Sequence, residues 1–262
     1  MILDRFQVTD KLAIVTGAGR GIGRGIAIAL AEAGADVVCA ARSADQIDDT
    51  AAEIQRCGRR ALAVPTDVTD RPQLENLVDA AHAEFGRIDI LINNAGGWPP
   101  QPLLRTSERA FEQAFRFNVT SAFLMTRFVV PKMVESGGGA IVNISSRAGS
   151  MVQAGFTSYG TAKAALSFMT KMMAPELAPK VRVNAIEVGG VETDALATVL
   201  TDDSIRRELE DNTPMRRVGQ VEDIAAAALY LVSPASSWVT GKIFEVDGGV
   251  ESPAFTMPVE PL

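Results

Sequence analysis

Several kinds of chemistry are nearly absent from this chain. Its 262 residues include two cysteines, one histidine, two tyrosines and two tryptophans. Cys39 lies in an apolar run and Cys57 precedes a glycine; they are too few for a disulfide scaffold and fit reduced thiols. With His82 as the lone histidine, a histidine-based catalytic triad is removed, and no His/Cys cluster has the spacing of a transition-metal site. No basic run reaches five residues and the formal charge is -7, which argues against general affinity for nucleic acid or anionic membranes. No apolar stretch approaches the roughly 18 residues of a membrane span. The opening "MILDRFQVTDKL" lacks a basic segment followed by a long apolar one. A cytoplasmic location is expected.

What is present is the composition of a folded globular chain, 47% hydrophobic and 22% charged. Its length suits one large α/β domain spanning 1–262. Seven short β-rich runs predict strands at 12–16, 36–40, 61–65, 88–93, 140–145, 181–186 and 242–246. Helical patterns lie between them at 21–33, 45–57, 71–85, 107–135, 158–178 and 222–232. This alternation predicts right-handed crossovers into a parallel sheet, a doubly wound Rossmann-type sandwich with seven strands between helices. Runs such as "LAIV" and "ILI" show no alternation, as strands covered on both faces require. The segment 188–219 breaks the rhythm and is expected to form a lid over substrate.

In such folds ligands bind beyond the carboxyl ends of the strands, where strand order reverses. The first strand runs into "TGAGRGIG", residues 16–23, where Gly17, Gly21 and Gly23 allow a tight turn and close approach to a pyrophosphate at a helix N-terminus. The fourth ends in "NNAG", residues 93–96, which is either a polar turn or part of the same crevice. Asn118, in "FRFNVTSAF", is either part of a site or a helix residue bonded to a nearby carbonyl.

In "SYGTAKAAL", Tyr159 and Lys163 are four residues apart and share a helical face, which Ser146 at the end of the fifth strand can reach. The spacing suits proton transfer. Bringing a phenol from a pKa of about 10 to near 7 takes about 4 kcal/mol, roughly what one unit charge at 4 Å supplies at an effective dielectric near 20. A lysine cation with an oxidised nicotinamide ring would suffice, making the tyrosine a general acid or base for an alcohol or carbonyl.

Four features in this order, T-G-x-x-x-G-x-G, N-N-A-G, a serine thirteen residues before the tyrosine, and Y-x-x-x-K, resemble the short-chain dehydrogenase/reductase family over about residues 9–249. The resemblance implies a nicotinamide-dependent oxidoreductase interconverting a secondary alcohol and a ketone; the alternative from another class is a non-catalytic dinucleotide-binding sensor, against which Ser146, Tyr159, Lys163 and Asn118 together weigh. Ser146 would hold the substrate oxygen, Tyr159 exchange its proton, Lys163 also bind the nicotinamide ribose and Asn118 support a water relay; Ser145, one residue off the family spacing, is given a structural role. It also implies cofactor contacts from Gly17, Arg20, Gly21, Ile22 and Gly23, from Arg42, Asp67 and Val68, from Asn94, Ala95 and Gly96, from Tyr159 and Lys163, and from Gly189, Val191 and Thr193. Asp67 matches the position used for the adenine; its alternative is a helix N-cap for a segment starting near Thr69.

Ala41 stands where the family places an NAD-selecting aspartate, with Arg42 next to it and Arg20 nearby, so NADP(H) is expected to be preferred over NAD(H). The stretch "TPMRRVGQVEDIAAAALYLVSPASSWVTGKIFEVDGG" looks like hydroxysteroid dehydrogenases and 3-oxoacyl reductases, which leaves both substrate types open, and the family implies a homotetramer. One departure is "NAIEVGG": Val188 replaces the usual proline, and Glu187 stands where alanine is common. Either Glu187 or its backbone borders the active-site entrance and biases the pocket against anionic substrates, with a basic or hydrogen-bonding neighbour, or its carboxylate faces solvent. The tail 250–262, with Phe255, Met257, Val259 and Leu262, is expected to run against another subunit or to be a disordered end.

Overall fold

A computed structural model describes residues 1–193 and 203–254. Seven strands, β1 (Leu12–Thr16), β2 (Asp36–Ala41), β3 (Ala61–Pro65), β4 (Ile90–Asn93), β5 (Gly139–Ser146), β6 (Val181–Val188) and β7 (Ile243–Val246), form one parallel sheet in the order β3-β2-β1-β4-β5-β6-β7. The helices are α1 (Gly21–Glu32), α2 (Ala44–Arg56), α3 (Arg71–Phe85), α4 (Glu108–Phe115), α5 (Ser121–Glu135), α6 (Thr157–Leu177), α7 (Asp203–Asn212) and α8 (Val221–Val232).

Each strand serves two cores. In β1, Ala13 and Val15 face Ile26 and Leu30 of α1 and Ile224 and Leu231 of α8, while Leu12 and Ile14 face Leu74 and Leu77 of α3 and Met125 and Val129 of α5. All five β1 residues are buried, so the strand reads as a continuous apolar run. A fully buried Leu or Ile side chain contributes about 1.5–3 kcal/mol, and these two layers hold the sheet between its helices. The chain winds outward in both directions from β1, which lies between β2 and β4. That reversal opens a crevice at the carboxyl ends of β1 and β4.

Two expected boundaries change for physical reasons. The single helix expected over 107–135 is α4, a π-helical turn at Arg116–Thr120, and then α5. An extra residue in the turn re-aims the chain, a feature frequent at functional sites. Strand β6 runs on to Val188, paired in register with Ser146 on β5 and Val246 on β7, because valine has no ring to end a strand where the family has proline. Within the expected lid, α7 and a bridge between Val191 and Gly219 are present, while 194–202 lies outside the described residues. So do 255–262 of the tail, including Phe255, Met257, Val259 and Leu262.

Candidate active site

The buried Thr16 organises the crevice: its Oγ1 donates to the Ile92 carbonyl at 3.2 Å and accepts the Asn94 and Ala95 amides at 3.0 and 3.1 Å. The chain then turns through Gly17 and Gly21 at φ values of 67° and 51°, a region that favours glycine. A Cβ on Gly23 would lie 2.2 Å from the Gly17 carbonyl oxygen, so the turn closes against α1 only with glycine there. Arg20, the N-cap of α1, makes no side-chain cap bond to the first turn, which leaves those amides for an anionic group. This cradle fits the pyrophosphate of a dinucleotide.

The Asn94 side chain donates to the Thr16 and Gly17 carbonyls at 2.9 and 3.2 Å and so supports the cradle from behind. Across the crevice, the methyl carbon of Thr193 lies 3.4 Å from where a Cβ on Gly21 would stand. Gly189 is packed tightly on the residue that follows β7, since its Cβ would lie 2.6 Å from Asp247 Cα, and Val191 is buried.

At the far end, Ile22 is half-buried against the α1 core, Val68 is buried, and Arg20 and Arg42 are exposed. Asp67 Oδ1 accepts both the amide and the hydroxyl of Thr69 at 2.8 Å. Burial pushes the Asp67 carboxyl up, but the two Thr69 bonds and the charges of Arg42 and Arg116 outweigh it and hold it below its ordinary value. The N-cap of α3 is instead Asp70, which accepts the Gln73 amide, so the alternative role for Asp67 is set aside. Arg116, the first residue of the π-helical turn, donates to the Thr69 carbonyl at 2.7 and 3.0 Å and joins this end.

Ser146, Tyr159, Lys163 and Asn118 converge on the same crevice. Ser146, the last residue of β5, is hydrogen-bonded to the Tyr159 phenol from the first turn of α6. One turn on, the buried Lys163 donates from Nζ to the Ile144 carbonyl at 2.8 Å. Asn118 accepts the Gly97 amide at 2.8 Å and donates to the Gly97 and Ala114 carbonyls at 3.1 and 2.9 Å. Gly96 lets these groups meet: its Cβ would lie 2.8 Å from Asn118 Oδ1 and 2.9 Å from Lys163 Nζ.

The electrostatics correct one sequence expectation. Burial pushes the Lys163 ammonium down to about 7, so the lysine is not a permanent cation near neutral pH. Burial also pushes the Tyr159 phenol up, with the Ser146 bond working in the opposite direction. The phenol is thus held in its protonated form, and its ionisation needs further positive charge in the crevice.

The sequence matches the family described as enoyl-(acyl carrier protein) reductase over residues 17–251. The chain belongs to the short-chain dehydrogenase/reductase family. Within that family it is 48% identical to an uncharacterized oxidoreductase of Mycobacterium tuberculosis, with both chains fully covered. It is 44% identical to the 7alpha-hydroxysteroid dehydrogenase of Escherichia coli, covering 94% of this chain and 96% of that one. A 7alpha-hydroxysteroid dehydrogenase solved with NADH and 7-oxo glycochenodeoxycholic acid superposes with a TM-score of 0.92 at 43% identity, covering 96% and 98% of the two chains. This short-chain dehydrogenase/reductase is therefore an oxidoreductase of a family that binds a nicotinamide dinucleotide.

Two features of the site escaped the sequence. One is a buried chain in which Asn93 donates to Asn143 at 2.9 Å and Asn143 to Thr170 at 2.8 Å, tying β4, β5 and α6 together. The other concerns Glu187. Its side chain does not face solvent; it is 4% exposed, accepts hydroxyls of Ser150 and Ser167, and lies 3.5 Å from Arg147. The expected basic and hydrogen-bonding neighbours are present, but a buried carboxylate paired in this way does not repel anionic substrates at the entrance.

Proposed function

We propose that this enzyme interconverts a secondary alcohol and a ketone with Tyr159 as general acid/base. The observation that carries this reading is the convergence of Ser146, Tyr159, Lys163 and Asn118 beside the glycine cradle. When bound there, a nicotinamide dinucleotide supplies or accepts the hydride. The Ser146 hydroxyl holds the substrate oxygen, and the Tyr159 hydroxyl gives its proton to the forming alkoxide or takes it from the alcohol. Lys163 and Asn118 hold the proton path open to the crevice, and Gly17, Gly21 and Gly23 hold the pyrophosphate.

A hydroxysteroid is the favoured substrate, with a 3-oxoacyl thioester as the second reading. Support comes from the likeness to the 7alpha-hydroxysteroid dehydrogenases and from an apolar rim. The loop carrying exposed Leu103 and Leu104 meets the segment carrying exposed Val152 through a bond from the Gln101 amide to the Gly155 carbonyl at 2.8 Å. Such a rim suits a polycyclic apolar body. Arg20 and Arg42, with Ala41 in place of an acid, support preference for NADP(H), NAD(H) being the weaker cofactor.

Exposed Phe111, Phe123, Phe168 and Met172 on α4, α5 and α6 support assembly into a homotetramer. Segment 188–219 would act as the lid. Free Cys39 and Cys57 accord with a cytoplasmic protein, and no helix among the described residues is long and apolar enough to cross a membrane. The test is a panel of hydroxysteroids, cyclic alcohols and 3-oxoacyl thioesters with each dinucleotide. Turnover of none of them would refute the reading, and turnover of thioesters alone would select the second substrate class.

A further inference from the structure

Arg147 follows Ser146 directly and is 8% exposed. Its guanidinium lies 2.5 Å from Glu245, 2.8 Å from Asp247 and 3.5 Å from Glu187, and donates to Ser150 Oγ at 3.0 Å and the Val250 carbonyl at 3.1 Å. A buried carboxylate is tolerated only when paired and hydrogen-bonded, and Arg147 gives Glu187 its counter-charge.

The two oxygens of Glu187 then reach in different directions. Oε2 accepts the Ser150 hydroxyl at 2.6 Å, on the turn that follows Ser146. Oε1 accepts the Ser167 hydroxyl at 2.7 Å, on α6 one turn beyond Lys163. Ser167 Oγ also lies 2.9 Å from Ser145 Oγ, and Ser145 donates to the Lys163 carbonyl at 3.0 Å. One carboxylate therefore joins the turn behind the serine to the helix that carries the tyrosine and the lysine.

Elsewhere these two elements touch through closely packed backbone. A Cβ on Gly149 would lie 2.7 Å from the Ala164 nitrogen, and one on Gly160 would lie 2.6 Å from the Ala148 carbonyl oxygen. Glycine-to-backbone contact sets how near the turn and the helix lie but gives little resistance to sliding. Charge-assisted bonds at both ends of a carboxylate supply that resistance.

We propose that Glu187 is a positioning residue that fixes the Ser146 turn relative to Tyr159 and Lys163, an inference that rests on the alcohol/ketone reading above. The alanine common at this position in the family makes no such link; in this chain Arg147, Ser150 and Ser167 are built around the carboxylate. Misplacement of a reacting group by about 1 Å costs on the order of 10²-fold in rate, so a loose turn lowers turnover without loosening the dinucleotide.

The experiment compares wild type, Glu187→Ala, Glu187→Gln and Ser167→Ala with the best alcohol from the panel, measuring kcat, dinucleotide Kd by fluorescence titration and the melting temperature. Ser167→Ala is the decisive variant, because it removes one hydroxyl and leaves the ion pair intact. The expected result is a fall in its kcat of about threefold or more, with Kd held within about twofold. Glu187→Ala should lose about tenfold or more, and Glu187→Gln, which keeps an acceptor for Ser167 and a donor for Ser150, should stay within about threefold of wild type. A Ser167→Ala enzyme with wild-type kcat, a parallel loss of kcat and dinucleotide affinity, or a glutamine variant as slow as the alanine one would each overturn the positioning role. A wild type that turns over no alcohol or ketone would instead remove the reading on which the proposal rests.

Discussion

Lys163 Nζ stands 5.7 Å from the centre of the Tyr159 ring, one turn along α6, while its hydrogen bond goes to the Ile144 carbonyl on β5. The lysine thus lies over the tyrosine ring without bonding its hydroxyl and is anchored to the sheet. Removing the phenol oxygen should leave this anchor and the ring packing against Phe156 in place. For Tyr159→Phe we expect kcat to fall by about 10²- to 10⁴-fold with dinucleotide affinity almost unchanged. Stopped-flow turnover and a dinucleotide titration check this; a variant keeping more than about a tenth of wild-type kcat would assign the proton to another group.

Lys163 also carries a stability cost. Its ordinary value of 10.5 in the unfolded chain falls to about 7 in the buried site. Between those values the unfolded chain binds the extra proton, so the penalty is absent above the upper one, grows as pH falls and is complete below the lower one. Lys163→Met should raise the melting temperature at pH 7, by an amount on the order of a few kcal/mol in stability, and flatten its rise toward alkaline pH. Activity should be lost in the same protein. A methionine variant that melts below wild type at neutral pH would contradict this account.

Much of the crevice is local in sequence and was legible there. The glycine turn, the end of β4 and the Tyr159–Lys163 pair each depend on residues a few positions apart, and β1 and β4 announce themselves as continuous apolar runs. What was hidden depends on distant partners. Asn118 bonds Gly97 from within a π-helical turn that interrupts the long helix, and nothing in "FRFNVTSAF" marks the extra residue. The burial of Glu187 was not legible because its partner Arg147 lies forty positions earlier, just past an adjacent strand end. The charge of Lys163 was overestimated because its burial follows from the packing of α6 on β5.

Cofactor preference is open to a direct exchange. Ala41 ends β2 and Arg42 stands exposed beside it, close enough to Asp67 for its charge to act on that carboxyl. Wild type should show a higher kcat/KM with NADPH than with NADH. Ala41→Asp with Arg42→Ile should reverse the order, because it supplies an acceptor for ribose hydroxyls and removes the cation that favours a 2'-phosphate. Equal kcat/KM for the two cofactors in the wild type would show that Arg42 is only a solvated side chain.

Two glycines separate binding from chemistry. A methyl group on Gly23 would meet backbone, 2.2 Å from the Gly17 carbonyl oxygen and 2.8 Å from its carbon, so the cradle itself must open to accept Gly23→Ala. A methyl group on Gly96 would meet the ends of two side chains and no backbone, Asn118 Oδ1 at 2.8 Å and Lys163 Nζ at 2.9 Å, so these two groups, and not the cradle, must shift. Neither glycine has a positive φ, so contact and not backbone strain decides both outcomes. Gly23→Ala should therefore weaken dinucleotide binding by about tenfold or more and lower the melting temperature. Gly96→Ala should keep the melting temperature and lower kcat by about tenfold or more, since it displaces the lysine that holds the proton path. Titration of each variant with the dinucleotide, followed by saturating kinetics, distinguishes them; equal losses of affinity in both would mean that Gly96 belongs to the cradle and that Lys163 is held in place by Ile144 alone.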